Sequence, residues 1–546
     1  MRLTPPRQVI EAALEAAIHD LDVYQPPDLE LRRAGSDVHG DYATPVAMKL
    51  ARHLRRPPPA IAAALAERLD LEEATVEVAG GYLNFRLRPE WLRRLVAAVA
   101  GDPCYGSSDI GGGERVQVEF ASVNPTGPLH IGHGRGVILG DALCRLLAFT
   151  GHDVQREYYV NDQNTRARKF GASVYARLHG QEPPEDGYMG AYVADLAEGA
   201  LRDIPGVGEL PYEEAEPLLR RSAIGRMVER LQASVARLNV HYDEWFWESS
   251  LWETGLAQQA IDRLRDGGHL KEKEGALWFA PDIPGWEQED EDRVVIRSNG
   301  EPTYFASDLG YLLSKFETRG FHRVIDVWGA DHHGYVARMK GAMAALGLDP
   351  ERLLIILHQM VNLKEGRMSK RQGRFVTLDE LTDRVGVDPV RYFYLLRSPD
   401  AMMDFDLELA VSERNENPVY YAQYAHARLS GVETHAAAVH PELPPAADLD
   451  LLDKPWELAV ARELTMWPDV VDTAVRTLEP HRLPHYVHEL ADRVHAFYHA
   501  GNEEAASRVV VDDPRLTRAR LELSRAARTT LRIALDLMGV SAPEKM

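Results

Sequence analysis

Asn124-Pro125-Thr126-Gly127-Pro128-Leu129-His130-Ile131-Gly132-His133-Gly134 is the stretch whose surroundings decide the fold. Upstream, Arg115 to Phe120 alternates as a strand does; downstream, His133 to Phe149 has helical apolar spacing, and Asp153 to Val160 reads as a second strand. Strand, Pro/Gly loop, helix and strand at these lengths make one βαβ crossover, the unit of parallel doubly wound sheets. A comparable pattern returns at Val324 to Val327 and Leu353 to His358. The expected fold class is therefore α/β, with a doubly wound parallel, Rossmann-type catalytic domain.

A loop that leads from a strand into a helix N-terminus offers anions backbone N–H groups and the positive end of the helix dipole. Gly132 and Gly134 would let a flat base or a triphosphate approach the backbone. His130 and His133, three apart at the helix start, share a face and can donate to phosphate oxygens. Metal binding is the rival reading, but His-Glu-x-x-His zinc helices use a four-residue gap and a carboxylate in the helix interior. Adjacent His332 and His333, with Asp331, invite a second metal reading, which a strand assignment rejects because neighbouring side chains on a strand point to opposite faces. No metal ligands are expected. A second constellation, Gly366-Arg367-Met368-Ser369-Lys370-Arg371-Gln372-Gly373, holds three cations in five residues between glycines. Charge building on phosphoryl oxygens calls for such a clamp, although a short basic run taken alone is more often a solvated turn.

Working outward, residues 1–110 read as a small α/β domain. Helices are expected over Arg7 to Asp22, Ala43 to Leu54 and Pro59 to Leu69, and strands over Thr75 to Val78 and Tyr82 to Leu87 around Gly80-Gly81. Gly111-Gly112-Gly113 marks a boundary, and 111–407 is the catalytic domain, with an insertion over about 164–292 whose Trp245, Trp247 and Trp252 read as core. Residues 408–546 turn helical: Pro441 to Pro445 is a connector, and Leu516 to Met538 a long amphipathic helix.

Composition narrows the class. With 62 Lys and Arg against 84 Asp and Glu, the net charge of −22 argues against indiscriminate nucleic-acid binding while leaving room for a local basic face. Two cysteines exclude a disulfide scaffold and a Cys-rich zinc ribbon. The N-terminal apolar stretch is broken by Glu11 and Glu15, so no secretory signal is expected, and no uncharged apolar run is long enough to span a bilayer.

His130-Ile131-Gly132-His133 and the Arg367-to-Arg371 run resemble the paired signatures of class I aminoacyl-tRNA synthetases, with arginine at 367 where the usual first lysine would stand. Three further stretches resemble the arginyl-tRNA synthetase family: Glu119 to Leu129, Trp328 to Met339, and Asn417 to Arg428. The ending Gly539 to Met546 does so as well. The resemblance implies ATP-dependent esterification of L-arginine to tRNA(Arg) through an arginyl-adenylate, with ATP entering as its Mg²⁺ complex. It implies His130, His133 and Lys370 as catalytic residues. ATP would be held by Gly132, Gly134, Gly329, Asp331, Met360, Val361, Arg367, Met368 and Ser369. Arginine would be held by Glu119, Ser122, Asn124, Tyr304 and Asp308. Physical reading permits this: a guanidinium needs carboxylates in forked geometry, and Tyr304 and Asp308, four apart, can point into one pocket. The bland alternative for Asp308 is a cap on the helix Leu309 to Phe316. For tRNA the candidates are Tyr82 and Asn84 in the first domain and Tyr420, Tyr424, Arg428 and Met546 in the last, with Arg518, Arg525, Arg528 and Arg532 as a basic stripe or a solvated face. A cytoplasmic monomer without membrane contact is expected. A glutamyl-, glutaminyl- or cysteinyl-type enzyme, a non-catalytic tRNA-binding relative and a small-molecule nucleotidyltransferase are the rival readings.

Overall fold

The computed structural model describes residues 4–35, 37–281, 283, 293–364 and 376–546. Five strands form one parallel sheet: β1 (Arg115–Phe120), β2 (Asp153–Val160), β3 (Glu244–Trp247), β4 (Arg323–Gly329) and β5 (Leu353–His358). Their spatial order is β5-β4-β1-β2-β3. The chain winds outward to β3 and then returns to the other side of β1, so the direction of winding reverses between β1 and β4. In doubly wound sheets ligands bind outside the carboxyl ends of the strands at this switch point. The Asn124-to-Gly134 loop leaves β1 there, and residues 330–335 leave β4 there.

The two faces of β1 differ. Phe120 meets helix α1 (Ile131–Phe149) so closely that a Cβ on Gly140 would lie 2.1 Å from its ring. On the opposite face a row of acids crosses three strands: Asp326 of β4 and Glu157 of β2 are both in register with Glu119. Like charges side by side in a sheet repel, and this row is neutralised from the helix above it. Helix α2 (Tyr304–Leu313) continues into a π-helical turn, Ser314–Thr318. From that turn buried Lys315 Nζ reaches Glu119 at 2.7 Å and Asp326 at 3.0 Å, and Arg319 pairs with Glu157. Substituting Gly140 tests the apolar face. Alanine gains up to about 1 kcal/mol of helix propensity, but overpacking against a fully buried ring costs about 1–3 kcal/mol. Gly140→Ala is thus expected to lower the melting temperature.

Several boundaries differ from expectation for identifiable reasons. The helix expected over Ala43 to Leu54 is a strand, Tyr42–Thr44, followed by a helix, Val46–Leu54, because Pro45 stands at the helix N-cap and has no N–H to give a ladder. The region 164–292 is not wholly an insertion. After helices Thr165–Leu178, Ala191–Asp203 and Tyr212–Arg237 the chain re-enters the main sheet as β3, and Trp245 stacks on Tyr158 at 4.4 Å. A small antiparallel sheet (Leu270–Lys273, Ala276–Phe279, Arg293–Ile296) follows.

The first domain is a four-stranded sheet with helices Pro6–His19, Val46–Leu54, Pro58–Ala66 and Pro89–Ala100. The C-terminal region is built from α3 (Pro418–Val439), α4 (Pro455–Thr477), α5 (Arg482–Glu503) and α6 (Pro514–Leu537). Ion pairs join the two: Asp41 with Arg462 at 2.7 Å and Arg33 with Glu463 at 2.7 Å, while the Tyr42 hydroxyl donates to Asp469 at 2.7 Å. Fully buried Arg391 ties α1, through Asp141, to the end of α6, through the Met538 carbonyl. Among the described residues no helix is long and apolar enough to cross a membrane.

Candidate active site

His130 is the N-cap of α1, and the two histidines complete the capping of that helix. The Gly132 N–H donates to His130 Nδ1 at 3.1 Å, and the His130 N–H donates to His133 Nδ1 at 3.3 Å. With both Nδ1 atoms accepting, the proton of each neutral ring belongs on Nε2, the donor tautomer that a phosphate oxygen requires. The rings stack with centroids 3.4 Å apart. Burial first, and then the neighbouring His130 and His358, push His133 down to about 3; burial also lowers His130. The pair is therefore neutral at physiological pH.

Gly134 departs from expectation. A Cβ there would lie 2.7 Å from Leu378 and 3.0 Å from Tyr394, so the glycine makes room for protein and not for nucleotide. Leu378 belongs to the segment that follows residues 365–375, and its N–H donates to the Leu129 carbonyl, while the Ile131 N–H donates to Val376. Arg367, Met368, Ser369 and Lys370 lie outside the described residues, but the segment that follows them is hydrogen-bonded to the His130 loop. Buried Arg135 secures the other side, donating to the carbonyls of Gln359 (3.1 Å), Ser398 (2.7 Å) and Ala401 (2.7 Å).

Beside this loop, Ala121 ends β1 with a φ of +56°, a left-handed conformation that non-glycine residues adopt at a cost. Next, Ser122 Oγ accepts the Tyr159 N–H at 3.0 Å, and Asn124 Oδ1 accepts from Asn164 at 2.6 Å. Beyond β2 and β3, an open cleft of about 530 Å³ is lined by Asn164, Glu248, Trp252, Tyr304 and Ser307, together with Arg168 and Arg297. Tyr304 is 44% exposed at the start of α2. Asp308 is one turn further on. It caps nothing: Thr303 is the N-cap residue, and Asp308 lies inside the helix with the Tyr335 hydroxyl donating to it. Burial, with the charge of Glu119 adding, pushes Asp308 up to about 6.

Glu119, read from sequence as the second carboxylate of an arginine pocket, sits in the ion-paired row with one oxygen held by Lys315. The carboxylate with spare capacity is one that sequence reasoning passed over. Glu248, at the carboxyl end of β3, is 3% exposed, and its Oε2 has no hydrogen-bond partner among the described residues. Burial, aided by the charge of Asp308, pushes it up to about 7. A signal was available, since an acid at the carboxyl end of a parallel strand stands where ligands bind; the Trp-rich context hid it. Lys315 was legible too, as a lone cation in the apolar run Leu312 to Phe316.

The elements beyond β4 and β5 also depart in detail. Residues 330–335 form a 3₁₀ helix, so His332 and His333 are not on a strand and the alternation argument does not apply to them; both are exposed. Gly329 has Asp331 Oδ1 folded back 2.5 Å from where a Cβ would stand. After β5, Met360 is 63% exposed, and Val361 is buried in a parallel pair with Met403.

Of the tRNA candidates, Tyr82 is 43% exposed, whereas Asn84, two residues along the same strand, is buried. Tyr420 and Tyr424 stack at 5.7 Å, and the Arg428 guanidinium lies 4.2 Å from the Tyr424 ring centre. Met546 is exposed. The four arginines of α6 form no free basic stripe: Arg518 pairs with Glu522, Arg525 and Arg528 share Glu433, and Arg532 donates to the Pro103 carbonyl.

Comparison with known proteins follows this anatomy. The family model for the arginyl tRNA synthetase N terminal domain matches residues 8–87, that for the class I (R) tRNA synthetase catalytic domain 100–185 and 213–391, and that for the DALR anticodon binding domain 422–546. The arginine–tRNA ligase of Moorella thermoacetica is 45% identical over 98% of this chain and 97% of its own. That of Syntrophotalea carbinolica is 44% identical over 99% of both. The Thermus thermophilus arginyl-tRNA synthetase structure superposes with a TM-score of 0.81 at 29% identity, covering 99% of this chain and 100% of that one. A doubly wound sheet with a histidine loop at its switch point and a cleft holding a buried acid beyond β2 and β3, matched end to end in this way, identifies the chain as a member of the class I arginyl-tRNA synthetase family.

Proposed function

We propose that the histidine loop at the switch point and the cleft beyond β2 and β3 together are where this ATP-dependent arginine–tRNA ligase forms its arginyl-adenylate. The observation that carries the reading is a chain of mutually interacting acids: Glu248 on the cleft wall with an unpartnered oxygen, Asp308 one turn along α2 from Tyr304, and Glu119, whose charge reaches Asp308. Lys315 already pairs with Glu119; ionised Glu248 and Asp308 favour a further cation, and a planar guanidinium can bind two carboxylates bidentately. Tyr304 closes the mouth, and Ser122 and Asn124 orient the α-amino group.

In the first step the arginine carboxylate attacks the α-phosphate of ATP in line, and pyrophosphate leaves; Mg²⁺ enters with the nucleotide. His130 and His133 donate through Nε2 to the phosphate oxygens, and Lys370 supplies positive charge, so catalysis is positioning and electrostatics without a side-chain base. Gly132, Gly329, Asp331, Met360 and Val361, with Arg367, Met368 and Ser369, hold the adenosine and phosphates. In the second step the terminal ribose hydroxyl of tRNA attacks the adenylate and AMP leaves. Residues 1–110, with Tyr82 and Asn84, and residues 408–546, with Tyr420, Tyr424, Arg428 and Met546, hold the tRNA. The enzyme acts as a monomer in the cytoplasm.

Charging of bulk tRNA with each of the twenty amino acids tests the reading, with arginine alone incorporated as the expected result; incorporation of another amino acid refutes the specificity. The acids also dictate a pH dependence. Arginine binding needs carboxylates, and protonation removes them as pH falls through the raised values of about 7 and 6 for Glu248 and Asp308. The kcat/KM for arginine should decline below pH 7, approaching about tenfold per unit for each group lost. Measured at saturating arginine, the ATP KM should show no matching step.

A further inference from the structure

Tyr158 and Tyr159 are consecutive on β2 and point to opposite faces of the sheet. Both are buried, but only one has a partner for its hydroxyl. Tyr158 donates to the Val123 carbonyl at 2.9 Å. The Tyr159 hydroxyl has no hydrogen-bond partner among the described residues, although the residue is 6% exposed. Native proteins rarely bury a hydroxyl without a partner unless a ligand or a bound water supplies one.

Its surroundings indicate which kind of ligand. The ring packs against Tyr311 with centroids 4.6 Å apart and against Phe246 at 6.1 Å, in a cluster that includes Trp252 of the cleft wall. Its backbone N–H is the donor to Ser122 Oγ. Glu248, Asp308, Glu119 and Asp162 all bear on the phenol electrostatically, and burial and these charges keep it protonated. A protonated hydroxyl among acids can donate to one of them and still offers lone pairs, which the acids cannot use and a cationic donor can.

Donor bookkeeping gives the same result. An arginine guanidinium presents five N–H bonds, and two bidentate carboxylates consume four. We propose that the Tyr159 hydroxyl is a specificity-determining contact of the arginine pocket, accepting a guanidinium N–H that the carboxylates leave over. The inference rests on the reading of the cleft as the arginine site. It adds a neutral acceptor to that site, one that favours a five-donor guanidinium over the three-donor ammonium of lysine.

Tyr159→Phe removes one oxygen and keeps the ring packing, so folding is preserved and a melting curve checks it. Because a hydrogen bond to a charged group is lost, the arginine KM in aminoacylation is expected to rise about tenfold or more, with kcat and the ATP KM unchanged. An arginine KM within about twofold of the parent overturns the proposal, since a hydroxyl that holds only a structural water leaves substrate binding alone. So does an equal rise in the arginine and ATP KM, which reports a general distortion. Asp308→Asn, measured alongside, separates the two levels of the argument. If it leaves the arginine KM unchanged, the pocket itself is misread; if it raises the KM and Tyr159→Phe does not, only the role of Tyr159 is lost.

Discussion

Asp308→Asn is expected to raise the arginine KM by about 30- to 5,000-fold, the range for removing one partner of a buried charge pair. The ATP KM should hardly move. Asparagine keeps an oxygen for the Tyr335 hydroxyl, which donates to Asp308 in the parent, so the substitution removes charge and little else. Stability is the discriminating second readout. The carboxyl of Asp308 titrates at about 6 in the folded chain, above its ordinary range, because burial disfavours the ionised form. A raised carboxyl opposes folding at every pH above that value, and contributes nothing against it only where it is protonated in both states. At neutral pH its neutralisation should therefore leave the melting temperature unchanged or higher. A large KM effect together with a retained or raised melting temperature is the signature of a binding residue. A lowered melting temperature with parallel losses for arginine and ATP would make Asp308 a structural residue and refute its assignment to the guanidinium.

The sequence carried the catalytic layout further than the specificity layout, and the difference is physical. β1, β2 and β5 were legible to the residue, because short apolar or alternating runs bounded by turn residues have sharp ends. The histidine loop was legible because its chemistry is local: N-cap, imidazole and glycine sit within four residues. Glu119 shows the limit. Its place at the end of β1 was correct, but its neighbours come from β4, β2 and the π-helical turn after α2, all distant in sequence. Only the sheet register reveals that it lies between Asp326 and Glu157 and needs Lys315. Glu248 escapes for the same reason: residues 244–247 read as part of the insertion, and only the pairing of β3 with β2 brings that acid to the sheet. The basic stripe on α6 failed because its partners, Glu433 on α3 and Glu522 on α6 itself, cancel it.

His133→Ala is the other large effect, an expected fall in kcat of about 10²- to 10³-fold, the range for removing one preorganised donor to a developing oxyanion. Arginine and ATP KM should change far less, because a donor aimed at charge that appears only in the transition state adds little to ground-state binding. The structure specifies what kind of donor this is. An imidazole pushed down to about 3, stacked on a second imidazole 3.4 Å away, cannot be a standing cation at neutral pH. Two charged rings at that distance would repel each other strongly, and burial adds to the cost. The ring is a neutral imidazole with its proton on Nε2, oriented because its Nδ1 accepts the His130 N–H. In the parent enzyme kcat should consequently show no step attributable to His133 between pH 5 and 8. His133→Asn, which retains an N–H donor without any titration, should recover part of the activity lost in the alanine variant. An acid-to-neutral decline in parent kcat centred near the ordinary histidine value, abolished in His133→Ala and absent from His133→Asn, would show that the protonated ring is the active form. That outcome would require the pair to be read as a cationic clamp in place of a neutral one.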